Sequence, residues 1–182
     1  MNIQDYIIEY YIPDDSYYEL KELIESQSNW SPHLWYGPEG YSEGADDCLV
    51  SSISIDQIPH TLEFIRNSLL SYFSSISVNP VPCGLSLPRL NRYYPGTKMA
   101  KHFDSIKDIF DGIRKGNALI SALALVKSAI KGGEFYFYFG NEKVEYLKKE
   151  RTLILFPSTF VYTHSVELVE EGVRDSFIIW AY

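Results

Sequence analysis

Cysteine is nearly absent from this 182-residue chain: Cys48 and Cys83 are the whole complement, and no CxxC spacing joins them. A disulfide framework and a cysteine-built zinc site are therefore not expected, and two reduced thiols are. Positive charge is scarce as well. With 16 Lys and Arg against 24 Asp and Glu, the formal net charge is −8. That balance disfavours a surface that tracks a phosphate backbone, and with it a nucleic-acid substrate. No apolar run approaches the roughly 18 residues needed to cross a bilayer. The opening MNIQDYIIEYYIP has no basic stretch ahead of an apolar segment and no small-residue cleavage site, so no secretory signal and no membrane partner are expected, and the expected location is cytoplasmic. Internal repeats and low-complexity linkers are missing too. What remains is 46% hydrophobic, and reads as one domain over 1–182, long enough to bury a core.

The first 84 residues mix helix and strand and read as a supporting layer. Tyr6 to Ile12 has strand character and is stopped by Pro13-Asp14-Asp15. Ser16-Tyr17-Tyr18-Glu19 has the form of a capping box, and Tyr17, Leu20, Leu23 and Ile24 follow at helical spacing as far as about Gln27. A second helix is predicted over 58–73, with Leu62, Ile65, Leu69 and Tyr72 on one face. Between them lies an aromatic-rich loop, Asn29 to Pro38. It is either a wall over a site or a satellite core.

From residue 85 the texture changes. Short β-branched and aromatic runs alternate with turn signals: RLNRYY, ALISALALV, EFYFYF, KVEYL, RTLILF, HSVELV and RDSFIIWAY, separated by Pro95-Gly96, Gly132-Gly133, Gly140-Asn141 and Pro157-Ser158. That rhythm belongs to a β-sandwich or barrel. The fold class expected is α+β dominated by β, a jelly roll over 85–182 with the N-terminal helices packed outside it.

Three groups of residues carry chemistry. In His102-Phe103-Asp104, strand alternation puts the imidazole and the carboxylate on one face; an H-x-[DE] triplet alone arises by chance roughly four times in ten at this composition. His164 begins another predicted strand. Two histidines and a carboxylate form the ligand set that leaves one side of an iron(II) ion open. Arg174 and Ser176 share a face of the last strand, which otherwise carries Phe177, Ile178, Ile179 and Trp180. An arginine in so apolar a strand needs an anionic partner, and guanidinium grips a carboxylate bidentately. An internal ion pair to Asp175 or Glu167 is the competing explanation.

With these residues in view, the chain from about Arg89 to Tyr182 resembles the 2-oxoglutarate/iron(II) dioxygenases, and within them the prolyl 4-hydroxylase-like group. The matching stretches are RYYPG ahead of HFD, KGGEF, FPS-x5-H, and G-x-R-x-S-F-x-x-W. The resemblance implies a double-stranded β-helix that binds iron(II), 2-oxoglutarate and O2, with ascorbate as a supporting reductant. It implies that His102, Asp104 and His164 ligate the iron, that Arg174 binds the distal carboxylate of 2-oxoglutarate with Ser176 assisting, and that Tyr94, or Tyr93 in the alternative register, contacts the cosubstrate. Trp180 matches an aromatic found near the pocket. Two departures stand out. Many prolyl 4-hydroxylases have lysine where Arg174 stands, and the strand after HFD offers Leu123 and Leu125 in place of a phenol, with Ser121 as the nearest hydroxyl.

The resemblance thus implies a hydroxylase that oxidatively decarboxylates 2-oxoglutarate to succinate; the intact Asp104 separates it from halogenating relatives. Its expected substrate is a prolyl residue in a peptide or protein. A free amino acid or other small metabolite is the alternative, and a non-catalytic jelly-roll binding module is a third. The stretch Ser105 to Gly116 is a candidate lid.

Overall fold

The computed structural model describes residues 2–37, 40–44, 46–79, 82, 84–105 and 118–182. Cys83 and all but Ser105 of the candidate lid lie outside the described residues. Alternation decides the architecture. In the strand Ile120–Lys127 every residue before Lys127 is buried. Ile120, Ala122, Ala124 and Val126 enter one core, and Leu123 and Leu125 enter another. A strand buried on both faces can sit only in the middle of a layered fold.

That strand lies within a seven-stranded antiparallel sheet, in the order Ile8–Tyr11, Thr152–Pro157, Ile120–Lys127, Arg174–Ala181, Arg89–Tyr93, Leu49–Ser52, Ser31–Pro32. A four-stranded sheet faces it, in the order Glu142–Tyr146, Phe135–Phe139, His164–Val166, Met99–His102. Between the two sheets Leu123, Ile154, Phe156 and Ile178 of the first meet Met99, Phe135, Phe137 and Val166 of the second. This is the jelly roll expected from the sequence. Three strands of the large sheet, Ile8–Tyr11, Ser31–Pro32 and Leu49–Ser52, come from the N-terminal part of the chain.

The outer face of the large sheet is covered by α1 (Asp14–Ser26) and α2 (Pro59–Ser75). Tyr17, Leu20 and Ile24 of α1, with Ile65, Leu69 and Tyr72 of α2, close over Leu90, Ala122, Leu155, Phe177 and Ile179. Each leucine, isoleucine or phenylalanine among them, fully buried, contributes roughly 1.5–3 kcal/mol. The capping box expected at Ser16 is not the helix start. α1 begins two residues earlier, with Pro13 as N-cap. Glu19 caps the other helix instead: its two carboxylate oxygens accept from the backbone N–H groups of His60 (3.1 Å) and Thr61 (2.8 Å). A carboxylate at a helix N-terminus is stabilised by the unpaired amides there whichever chain segment supplies it. Among the described residues no helix is long and apolar enough to cross a membrane.

Gly132 and Gly133 form the tight turn their sequence suggests, at φ +76° and +75°. Lys131–Gly132 pairs with Val169–Glu171, and a Cβ on Gly132 would clash with the Leu168 carbonyl oxygen. Gly132→Ala is therefore expected to cost about 1–3 kcal/mol from its backbone conformation alone, with the clash added. Urea denaturation checks this, since an unchanged midpoint contradicts the geometry.

Candidate active site

The register of the small sheet explains how residues far apart in sequence meet. His164, at the start of its strand, is paired directly with His102, at the end of Met99–His102. Their rings lie 4.4 Å apart, centroid to centroid. Asp104, two residues past His102, turns the same way; its Oδ1 is 3.6 Å from His102 Nε2 and 3.7 Å from His164 Nε2. The three ligand atoms all lie within 4.8 Å of one another.

Each imidazole is held from behind. His102 Nδ1–H donates to the Ala100 carbonyl (2.8 Å) and His164 Nδ1–H to the Tyr162 carbonyl (2.9 Å). In that tautomer both Nε2 lone pairs face the shared centre. Ser121 Oγ donates to Asp104 Oδ2 at 2.6 Å, while Ser158 Oγ lies 2.8 Å from Ser121. Ser121 was the nearest hydroxyl to the missing phenol; it supports the carboxylate instead, because its position opposite Trp180 in the large sheet faces Asp104.

The electrostatics suit a divalent cation. Burial among Phe135, Phe137 and Phe156 lowers the His164 pKa to about 4, so this ring is neutral at pH 7. Burial opposes ionisation of Asp104, but the two histidines and the Ser121 hydroxyl outweigh it and hold the carboxyl well below the usual carboxylate range. Two imidazole nitrogen donors and one anionic oxygen are the chemistry of a borderline-to-hard metal such as iron(II), and among the described residues no sulfur donor joins them to favour a closed zinc site.

These three residues line a cavity shared with Arg174, Ser176, Asn91, Tyr93 and Arg89. Arg174 is 2% exposed, its terminal nitrogens have no hydrogen-bond partner among the described residues, and its guanidinium lies 5.2 Å from the centre of the Tyr93 ring. The ion pairs that could have explained it are absent. Asp175 points to the opposite face and binds Arg92 at 2.8 Å, while Glu167 binds Lys143 at 2.9 Å. Burial pulls the Arg174 pKa down, yet guanidinium does not deprotonate in proteins. A buried cation with free donors calls for an anion that enters the cavity.

Ser176 sits on the same wall, fully buried, its Oγ 3.4 Å from Asn91 Nδ2. Tyr94, expected at the cosubstrate, is 42% exposed and does not line the cavity. Tyr93 does, because it is paired with Arg174 and shares the inward face of its strand with Arg89 and Asn91. The aromatic loop divides. Trp30 packs on the helical core with Arg92 over its ring, whereas Trp35 meets His102 edge-on at 5.4 Å. Behind Trp35, His33 is 3.8 Å from Asp47, and burial together with the Arg89 charge lowers its pKa to about 4. Arg89 and Asn91 were not singled out from the sequence, although Arg89-x-Asn91-x-Tyr93 has the same alternation of polar residues that marked Arg174-x-Ser176.

Comparison with known proteins agrees with this geometry. The sequence profile of the 2OG-Fe(II) oxygenase superfamily matches residues 88–182. Among curated proteins, none matches the chain. Similar solved structures include a prolyl hydroxylase from Trichoplax adhaerens in complex with a hypoxia inducible factor oxygen degradation domain peptide fragment (TM-score 0.73, 18% identity, covering 97% of this chain and 82% of that one). A Pseudomonas putida prolyl-4-hydroxylase is similar at TM-score 0.71 and 14% identity, over 96% and 91% of the two chains. The viral collagen prolyl hydroxylase of Paramecium Bursaria Chlorella virus-1, in its 2OG complex, gives 0.64 and 18% over 99% and 98%.

The buried histidines predict a pH response in metal-free protein. In the unfolded chain both titrate near 6.5, while native His164 and His33 stay neutral down to about 4. The unfolded state therefore binds more protons across that window, and stability falls as pH drops through it, by roughly 2–5 kcal/mol in total. Urea midpoints measured in chelator from about pH 7 to about pH 4 check this; a flat profile contradicts it.

Proposed function

The chain belongs to the 2OG-Fe(II) oxygenase superfamily and is an iron(II)- and 2-oxoglutarate-dependent dioxygenase, and from that premise we propose that it hydroxylates a prolyl residue in an extended peptide. His102, Asp104 and His164 hold the iron in this reading, and Arg174 takes the distal carboxylate of 2-oxoglutarate, with Ser176 and Tyr93 beside it. The observation that carries the reading is Arg174. Its unpartnered guanidinium and the His-Asp-His group line one cavity, so a short dicarboxylate can reach a metal with one end and a fixed cation with the other.

Iron(II) and 2-oxoglutarate, once bound, couple loss of carbon dioxide from the cosubstrate to insertion of one oxygen atom from O2 into the substrate, leaving succinate. The chain's own residues set the conditions for that chemistry. The Ala100 and Tyr162 carbonyls fix both imidazoles as Nε2 donors. Ser121 keeps Asp104 oriented and ionised. Phe135, Leu123, Val166 and Ile178 line the rest of the cavity with hydrocarbon and keep bulk water from the reacting atoms.

The substrate side is supported by the likeness to prolyl hydroxylases and by Trp35 and Trp180, aromatic surfaces next to the site. A proline-containing segment is already extended before it binds, so flat aromatic walls capture it at low entropic cost.

His102→Ala and His164→Ala are expected to abolish succinate formation and sharply weaken iron binding, and Asp104→Ala to do nearly the same; parental turnover in any of the three removes that residue from the ligand set. Arg174→Ala should raise the 2-oxoglutarate requirement by ~1.5–3 kcal/mol, roughly ten- to a hundredfold, and Ser176→Ala by about 1 kcal/mol. Equal cosubstrate affinity in Arg174→Ala and parent contradicts the role. Succinate release with iron(II), ascorbate and 2-oxoglutarate, screened against proline peptides and free amino acids with product mass, tests the substrate. Turnover of a free amino acid without any proline peptide assigns the small-metabolite alternative.

A further inference from the structure

The cavity holds a second guanidinium besides that of Arg174, from Arg89. Arg89 starts the strand Arg89–Tyr93 and faces inward with Asn91 and Tyr93. Its guanidinium lies 5.1 Å from the centre of the Trp180 ring. Among the described residues no carboxylate pairs with it, and its Nε is buried without a hydrogen-bond partner. Trp180 Nε1, on the ring it covers, is also buried and unpartnered. Buried donors without acceptors are rare in folded proteins, and each calls for an explanation. Of the seven buried side-chain polar atoms without a partner in the described part of the chain, four are three arginine donors of Arg89 and Arg174 and the Asn91 amide oxygen, on residues that all line the cavity.

The two arginines are not one site. Arg174 is paired with Tyr93 and packs on its ring, whereas Arg89 is paired with Ile178 and packs on Trp180, further along the same strand. Four residues of strand separate the two levels, roughly 13 Å between Cα positions. The two guanidiniums pack on different rings, Trp180 and Tyr93, which leaves Arg89 available to an anion other than a carboxylate held by Arg174. Stacking on an aromatic face leaves the edge of a guanidinium open, and that edge is the one that binds a carboxylate bidentately. Asp104 is the sole carboxylate lining the cavity among the described residues, and it is held by Ser121 and directed at the two histidines.

We propose that Arg89, stacked on Trp180, binds a carboxylate of the substrate, so that the hydroxylated carbon lies within about one residue of an anionic group. This rests on the reading of the cavity as a hydroxylase site. It narrows the substrate class to an acidic residue beside the target, a C-terminal carboxylate, or the carboxylate of a free amino acid. In a chain of net charge −8, a fixed local cation is selective: anions are repelled elsewhere on the surface and retained at this point.

The test uses pairs that differ by one charge: proline peptides with glutamate or glutamine on either side of the proline, a peptide ending in proline as free acid or amide, and L-proline against L-prolinamide. Binding is measured without oxygen, with manganese(II) and 2-oxoglutarate present, and hydroxylation is followed separately by product mass. The acid member of at least one pair should bind better by roughly ten- to a hundredfold. R89Q should reduce that preference to about twofold or less, while R89K, which keeps the charge and loses the planar fork, should retain an intermediate preference. If R89Q does not fold, a parental preference in R89K overturns the bidentate role. The proposal is also overturned if no pair shows an acid preference or if the preference survives in R89Q. The same holds if R89Q weakens 2-oxoglutarate as strongly as Arg174→Ala, because Arg89 then belongs to the cosubstrate. Acid preference confined to L-proline, with no peptide hydroxylated, supports the carboxylate site and overturns the peptide reading alone.

Discussion

The large sheet is buried on both faces, and the rest of the molecule depends on that constraint. One face is closed by α1 and α2 with an almost wholly apolar core; the other looks across at the smaller sheet. Because side chains alternate strictly along a strand, a single sequence such as Arg174–Ala181 serves both. Phe177, Ile179 and Ala181 anchor it to the helices, while Arg174, Ser176 and Ile178 line the cavity. The helix side supplies cohesion, which allows the inner face to carry polar groups that cost stability where they sit.

Those costs are concentrated at the cavity. Unpartnered donors of Arg174 and Arg89 and an unpartnered Asn91 oxygen line its walls, and His164 is held neutral in an aromatic cage. Outside it, several ionic groups are matched: Arg92 with Asp175, Lys143 with Glu167, Glu19 with the start of α2. Asp175 is the informative case. It is adjacent to Arg174 in sequence and buried, yet strand alternation sends it to Arg92 on the far face. The neighbour best placed in sequence to neutralise Arg174 is thus removed by geometry, and the guanidinium is left for a ligand.

The small sheet contributes precision of a different kind. Cross-strand pairing puts His102 and His164 side by side, and backbone carbonyls two residues earlier in each case fix the rings. Asp104 completes the group from the segment after the strand, restrained by a serine of the opposite sheet. Donors fixed by backbone on one side and by a facing sheet on the other need little rearrangement to accept an ion.

The sequence by itself determined the jelly-roll class, both helices, and the His102, Asp104, His164 and Arg174 group, because hydrophobic period and residue chemistry are local properties of the chain. Arg174 was legible for the same reason: a cation inside RDSFIIWAY conflicts with everything around it. Tertiary structure decided what depends on which face a residue occupies and what lies opposite. A shift of one residue exchanges Tyr94 for Tyr93 in the cavity, since alternation inverts at each step. Ser121 belongs to Asp104, and Glu19 to the second helix rather than its own, through contacts 17 and about 40 residues distant in the chain. Trp30 and Trp35, five positions apart, part to different cores. The place of Arg89 is given by Trp180, far along the chain, whose ring lies beneath it. Pairings of that range are fixed by register and by layer packing, and neither is written in any one segment.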